Sequence, residues 1–522
     1  MKEAHLLPLN VKRVHFIGIG GYGMSALALI LLKKGFKVSG SDIKQSPLTE
    51  TLTTAGATVH IGHSSDNLGS AELVVYSTAV PSDNPELLSA RERGLTLWHR
   101  SELLAALLNN SYGIAIAGAH GKTTTTAMAA LLLEAGGLDP TAVIGGVLPA
   151  YGSNARVGQS HYLVAEADES DSSFTRYYPR LALVTGIEAD HLEHYNNDYG
   201  SLKQAYTTFL SQVPANGTVI LCADDPALVE LSRKLACQVV FYSLVGEPPA
   251  RENSSSQDKP ETDTSLAHSQ LEEKITENST AEAGSNSASG SAPAGQPGFQ
   301  PAADYYAANI TIQGRSSSFD LYQRGRSIAT GITLNVPGSH NISNAVGALA
   351  LAATLGLDPA ACAPALASFT GVGRRFEIIG TARGITVVDD YAHHPTEVCA
   401  TLEAARPTAK RVLCLFQPHR YSRTAAFLEE FSRAFKDADL LFLHSVYPAG
   451  ETPLPGANSA ELANLIRQRG GTVVHYNEEI TALEEEIAAR ARSGDLIITM
   501  GAGDVTKSAP RILKLLRGAD NS

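Results

Sequence analysis

The chain has 522 residues, enough for about three domains at ~150 residues each. Its charged fraction of 18% and hydrophobic fraction of 43% are those of a globular chain, and a net charge of −12 leaves no broad basic face for nucleic acid. No apolar run approaches the ~20 residues of a membrane span, and Met1 to Asn10 is too short and polar for a secretory signal.

Arg13 to Ile17 predicts a short strand, Gly18 to Gly23 a glycine turn and Met24 to Lys33 a helix. Further strands are expected at Phe36 to Ser39 and at Leu73 to Tyr76, the latter ending in Ser77, Thr78 and Ala79. Gly18, Gly20 and Gly23 satisfy G-x-G-x-x-G between strand and helix, and Asp42 lies where a ribose-binding acid would sit. Taken alone, this says NAD and a nicotinamide dehydrogenase. The motif itself establishes only a helix N-terminus open to a diphosphate, so a nucleotide-sugar satisfies the same physics. This first α/β unit closes near Asn110.

The second unit opens with an apolar strand, Tyr112 to Ala117, followed by Gly118-Ala119-His120-Gly121-Lys122-Thr123-Thr124 and a helical run to Ala135. Glycines let backbone N–H groups turn toward a polyphosphate, Lys122 would neutralise it, and the Thr123 hydroxyl would complete a Mg²⁺ shell. The first glycine stands three residues before the second, shorter than the G-x-x-x-x-G-K-[ST] spacing. The reading is an ATP-type triphosphate site. Strands follow at His161 to Glu166, Leu181 to Thr185 and Thr218 to Cys222, which implies a largely parallel sheet with ligands at its carboxyl ends. Glu166, Asp168, Glu169 and Asp171 are hard oxygen ligands for Mg²⁺ at one strand end, or else a solvated acidic loop. His191 and His194, three apart, raise a zinc reading. No third histidine or cysteine is close in sequence, which favours a single His191 near Mg-ATP.

Between about Gly246 and Ala303, Ser, Glu, Pro, Asn, Gly and Thr dominate, and the segment is expected to be a disordered insertion. Structure resumes at Tyr305, with antiparallel strands at Ser317 to Tyr322 and Thr333 to Val336, then a helix from Asn341 to Leu355. Asn341 and Asn344 either cap that helix or present amides to an adenine edge. Arg374 and Arg375 form a basic pair suited to phosphoryl or carboxylate groups, or an exposed surface pair. A third α/β unit has strands at Ile385 to Asp389, Arg411 to Phe416, Leu440 to His444 and Leu496 to Met500. Two of these end in polar clusters, Asp389 to Glu397 and Gln417 to Arg423, which should converge at the ligand crevice of the sheet. The five cysteines (Cys222, Cys237, Cys362, Cys399 and Cys414) show no C-x-x-C pairing and fit free thiols in a reducing cytoplasm.

Together and in this order, these motifs resemble the Mur ligases of bacterial cell-wall synthesis, over almost the whole chain except the insertion. The shortened phosphate loop is the form those enzymes carry. The resemblance implies α/β architecture in three domains: residues 1–110 Rossmann-like and UDP-substrate-binding, 111–372 an ATP-binding P-loop domain with a small antiparallel portion, and 373–522 Rossmann-like and amino-acid-binding. It implies an ATP-dependent ligase that joins L-alanine to the carboxylate of UDP-N-acetylmuramate through an acyl phosphate, with ATP and Mg²⁺ and no nicotinamide. It places ATP on Gly118, Ala119, His120, Gly121, Lys122, Thr123, Thr124, Asn341, Asn344, Arg375 and Asp390. The metal falls to Thr123, Glu166 and His191, and the UDP-sugar to Gly18, Gly20, Gly21, Gly23, Met24, Ser77, Thr78 and Ala79. The amino-acid side falls to Tyr391, His393, His394 and Arg420, with Lys122, His191, Arg375 and His393 as the catalytic set. A cytoplasmic monomer or weak homodimer follows, with a ligase that recycles murein peptides, or an NAD oxidoreductase, as the alternatives.

Overall fold

Arg13–Ile17 is buried at four of its five positions, which suits a central parallel strand covered on both faces. The structure, a computed structural model, describes residues 11–245 and 302–518. The expected disordered insertion at 246–303 lies outside the described residues except for its last two positions. In the N-terminal unit, β1 (Arg13–Ile17), β2 (Lys37–Asp42), β3 (Thr58–Ile61), β4 (Leu73–Tyr76) and β5 (Thr96–His99) form one parallel sheet. Its order, β3-β2-β1-β4-β5, reverses direction at β1, and the glycine turn after β1 lies at that switch point. β2 runs past Ser39 to Asp42 because Gly40 leaves room: a Cβ there would sit 2.6 Å from Ile19 Cδ1.

The central unit carries ten strands. β6 (Tyr112–Ala117), β7 (Thr141–Leu148), β8 (Ser153–Arg156), β9 (Tyr162–Glu166) and β10 (Leu181–Val184) come first. β11 (Thr218–Cys222), β12 (Gln238–Val245), β13 (Tyr305–Gln313), β14 (Ser316–Gln323) and β15 (Arg326–Leu334) complete it. The order is β15-β14-β13-β12-β11-β10-β6-β9-β7-β8. β12 and β13, on either side of the insertion, are parallel neighbours, while β13, β14 and β15 form an antiparallel meander and β8 an antiparallel edge. The strand expected to end at Val336 stops at Leu334. The helix Lys122–Ala135 is buried from Thr124 through Leu133, the pattern of a helix enclosed in a large core. Behind it packs Ser339–Thr354, where Gly347 lets the Tyr242 ring approach: a Cβ would meet Tyr242 Cζ at 3.0 Å.

The C-terminal unit contains β16 (Glu377–Ala382), β17 (Ile385–Asp390), β18 (Arg411–Phe416), β19 (Leu440–Leu443), β20 (Val473–Tyr476) and β21 (Asp495–Met500). Their order is β16-β17-β21-β18-β19-β20, parallel except for the β16–β17 hairpin. The chain is thus α/β throughout: two parallel-sheet units flank a mixed central sheet. Among the described residues, no helix is long and apolar enough to cross a membrane.

Candidate active site

β6 delivers the chain into a loop that only glycines permit. Gly118 has φ +132°, and a Cβ on it would fall 2.1 Å from Thr185 Oγ1. Gly121 has φ +79° and is the N-cap of the following helix, with no side chain closing that end. The first-turn N–H groups and the positive end of the helix therefore face outward, ready for an anion. Lys122 Nζ donates to the Gly118 carbonyl at 2.6 Å and to Glu169 at 2.8 Å. Burial is the largest influence and works against its charge, but Glu169, Asp168 and Glu166 together outweigh it and the lysine pKa rises.

Glu166, at the end of β9, accepts from the Gly145 N–H at 2.5 Å and from Thr123 Oγ1 at 3.2 Å. Burial raises its pKa despite these donors and Lys122, so a cation placed there would relieve an uncomfortable carboxylate. His191 shares a cavity wall with Thr123 and Glu166, held in a left-handed conformation (φ +55°) between Asp190 and Glu193. His194 is exposed and lines neither of the cavities below, so the structure gives the histidine-pair zinc reading no support.

Two cavities meet at the phosphate loop. The first, about 330 Å³, runs from Gly121, Thr123 and Thr124 past Asn341 and Asn344 to Arg375 and Asp390. Its far wall is apolar, built from Tyr242, Leu244, Val336 and Phe369. Asn341 does not cap its helix; Gly338 is the N-cap, and Asn341 Nδ2 donates back to the Pro337 carbonyl at 2.6 Å. Asn344 abuts the loop closely, since a Cβ on Gly121 would lie 2.5 Å from its Oδ1. Asp390 accepts from the Phe376 and Ala392 N–H groups, and burial pushes its pKa up to about 6 against the pull of Arg375.

The second cavity, about 480 Å³, is bounded by all three units. Gly23 and Arg100 come from the first, Lys122, Glu166 and His191 from the second, and Tyr391, His393 and Arg420 from the third. Arg374 and Arg375 both stack on the Tyr391 ring, at 4.8 and 5.0 Å. His393 Nδ1 is 2.9 Å from the Tyr391 carbonyl, and burial lowers its pKa to about 3, so the ring is neutral at physiological pH.

Across the junction, Arg423 on the C-terminal unit forms a two-pronged ion pair with Asp190 at 3.0 and 3.3 Å, and Arg420 reaches Glu193 at 3.1 Å. His120 is clamped between Glu397 and Glu188. Burial opposes its charge, but the two carboxylates raise its pKa to about 10, making it a cation beside the loop.

Three segments of the chain match, in order, the Mur ligase family catalytic domain over residues 13–112, the Mur ligase middle domain over 116–292, and the Mur ligase glutamate ligase domain over 374–503. The chain belongs to the Mur ligase family. A UDP-N-acetylmuramate–L-alanine ligase of Pelotomaculum thermopropionicum is 41% identical over 97% of this chain and 98% of that protein. One from Anaeromyxobacter dehalogenans is 42% identical with the same coverage. Among solved structures, a UDP-N-acetylmuramate-alanine ligase from Thermotoga maritima is similar with TM-score 0.73 and 26% identity, covering 97% of this chain and 99% of that one. A murein peptide ligase from Psychrobacter arcticus shares the fold, with TM-score 0.64 and 24% identity over 97% and 98% of the two chains.

In this Mur ligase the glycine turn reaches the second cavity only at Gly23, beside Tyr22. Gly18 and Gly20 are used internally, donating to the Ser41 carbonyl and to Asp42 Oδ2, and Gly21 is the N-cap of Tyr22–Lys33. Asp42, the expected ribose acid, therefore braces the turn. Met24 is buried in the core, and Ser77, Thr78 and Ala79 form a turn after β4 that borders neither cavity. His394, expected on the amino-acid side, is also absent from both cavity walls. Four residues given no individual role in the sequence stand out: Glu169 as the partner of Lys122, Arg100 with Asp168 at 3.3 Å, Arg423, and Glu397. Helical spacing from Arg420 offered a signal for Arg423; nothing local marked Arg100.

Proposed function

We infer that this Mur ligase joins L-alanine to UDP-N-acetylmuramate at the expense of ATP, giving the amide, ADP and phosphate. The supporting observation is 41–42% identity, over 97% of the chain, to L-alanine ligases, in a chain whose Lys122, Glu166 and His393 face one cavity bounded by three units. We assign residues 1–110 to the UDP-sugar, 111–372 to ATP and 373–522 to the amino acid. ATP occupies the first cavity, its adenine against Asn341 and Asn344 and its phosphates on Gly118 to Thr124. A carboxylate is a poor acyl donor until phosphate becomes its leaving group. The muramoyl carboxylate oxygen therefore attacks the γ-phosphorus and ADP leaves; the neutral amine of alanine then attacks the acyl phosphate carbon, and phosphate departs with the C–O electron pair and takes up the amine proton.

Lys122 and Arg375 balance charge on the transferring phosphoryl group. Thr123, Glu166 and His191 suit Mg²⁺, which when bound would neutralise phosphate charge. With its pKa near 3, His393 is a weak proton acceptor and serves to orient the amine, while Tyr391 and Arg420 border the amino-acid position. The UDP diphosphate lies toward Gly23 and the helix it opens. The enzyme is assigned to the cytoplasm, as a monomer or weak homodimer.

Phosphate release in a coupled assay is expected only with UDP-N-acetylmuramate and L-alanine both present. Strong turnover with a murein tripeptide but not alanine transfers the assignment to a recycling ligase. Saturable NADH binding, followed by intrinsic fluorescence, supports an oxidoreductase instead.

A further inference from the structure

Beside the phosphate loop, three side chains from separate parts of the chain turn their donor atoms toward one point. They are His120, Glu188 from the loop after β10, and His394 at the start of helix Pro395–Ala405. We propose that they form a binding site for a divalent transition metal of the zinc class, distinct from the oxygen-rich Thr123–Glu166 position. Each offers one donor, all within 4.8 Å of one another, the one such group among the described residues. A tetrahedral ion with ligands at ~2.1 Å has donor–donor edges of roughly 3.4 Å. The edges to Glu188 Oε2 measure 3.3 Å from His120 Nε2 and 3.5 Å from His394 Nδ1.

The supporting shell has the form that metal-binding histidines and carboxylates use. Glu397 Oε1 lies 3.1 Å from His120 Nδ1 and holds that N–H, so an ion entering between His120 Nε2 and Glu188 would displace the Nε2 proton that the metal-free pair shares. Thr396 Oγ1 donates to Glu188 Oε2 at 2.8 Å, fixing the carboxylate. His394 gives the independent observation. It is 4% exposed, neither ring nitrogen has a hydrogen-bond partner, and Phe427 holds the ring edge-on at 4.6 Å. Apart from the 3.5 Å approach of Nδ1 to Glu188, the ring is unsatisfied, which is costly for a buried imidazole unless something binds it. Two imidazoles and one carboxylate favour zinc-class ions over magnesium. The carboxylates Glu188 and Glu397 supply the negative charge such an ion needs.

An ion here would tie the phosphate loop to the C-terminal unit, at the wall of the first cavity, which His120, Glu188 and Glu397 all line. It would hold the two units together and oppose the opening that nucleotide exchange requires.

The test is titration of the full-length, nucleotide-free protein with Co²⁺ in excess Mg²⁺. The expected result is the intense visible absorption of four-coordinate Co²⁺, saturating at one ion per chain and displaced by Zn²⁺. Glu166→Gln should keep that absorption. Separate His394→Gln and Glu188→Gln variants, with circular dichroism verifying their fold, should lose it, and Thr396→Val should weaken binding by about 10–100-fold. An absent absorption band, one unchanged in folded His394→Gln and Glu188→Gln, or one lost in Glu166→Gln would overturn the site.

Discussion

The partners of Lys122 explain how it can be poised without substrate. Glu169 holds it charged in a buried setting, and the Gly118 carbonyl fixes its direction along the loop. Lys122→Ala removes that charge and leaves Glu169 buried and unpaired. Turnover should fall by at least ~10³-fold, the scale of losing a transition-state charge partner. UDP-sugar affinity measured by calorimetry should stay near wild type, because the proposed sugar site lies on the N-terminal unit, toward Gly23. Retained turnover would defeat the phosphate-loop role. The residues of this loop were legible because the physics is local: glycines, a lysine and a helix start all lie within a few positions. Glu169 was visible only as one acid among four. Which of them pairs with Lys122 depends on where β9 ends relative to β6.

At the scale of elements, the N-terminal sheet is locked by a buried hydrogen-bond cluster that no motif announced. Glu86, at the start of helix Pro85–Glu92, is 0% exposed and accepts from Ser41 Oγ at 2.6 Å and Asn67 Nδ2 at 2.7 Å, with His15 Nε2 at 3.0 Å. It thereby joins β1, β2 and the segment before β4. Burial alone would raise its pKa, but these partners lower it from 4.5 to about 2. A carboxylate depressed on folding contributes stability above its unfolded pKa and loses it as pH falls toward the folded value. The contribution, about 3 kcal/mol at neutral pH, should therefore disappear between roughly pH 4.5 and 2. In Glu86→Gln, melting temperature followed by circular dichroism should drop at pH 7 and lose that acid-range slope. An unchanged slope would remove Glu86 from the account. Strands with strong apolar runs, β1, β6 and β18 among them, were readable to the residue. β3 and β5 were not, because short edge strands are half-buried and their four-residue patterns blend into loop chemistry.

For the whole molecule, the junction between the central and C-terminal units is set by charges from opposite sides of the cavity. Arg423 is 7% exposed, and its carboxylate partner among the described residues is Asp190. Arg423→Ala should remove the guanidinium from buried Asp190, leave it only His191 at 3.5 Å, and cost the closed arrangement up to about 3 kcal/mol. Small-angle scattering with all ligands present should then show a larger radius than wild type, accompanied by reduced kcat. Identical profiles for the two proteins would separate this pair from closure. The glycine turn shows the complementary limit of reading by sequence: its spacing admits NAD or a UDP-sugar, and Asp42, the residue expected to choose between them, is spent on the Gly20 N–H.

By itself the sequence determined the α/β class, the phosphate loop and the family, since each rests on residues adjacent in the chain or on the order of motifs along it. Only the tertiary structure decided that Gly23, Lys122, Glu166, His191, His393 and Arg420 border one cavity, that Arg423 and Glu397 fasten its walls, and that His394 turns away from it toward His120 and Glu188. Those relations join positions separated by tens to hundreds of residues. They are set by how three sheets pack, which no local pattern encodes.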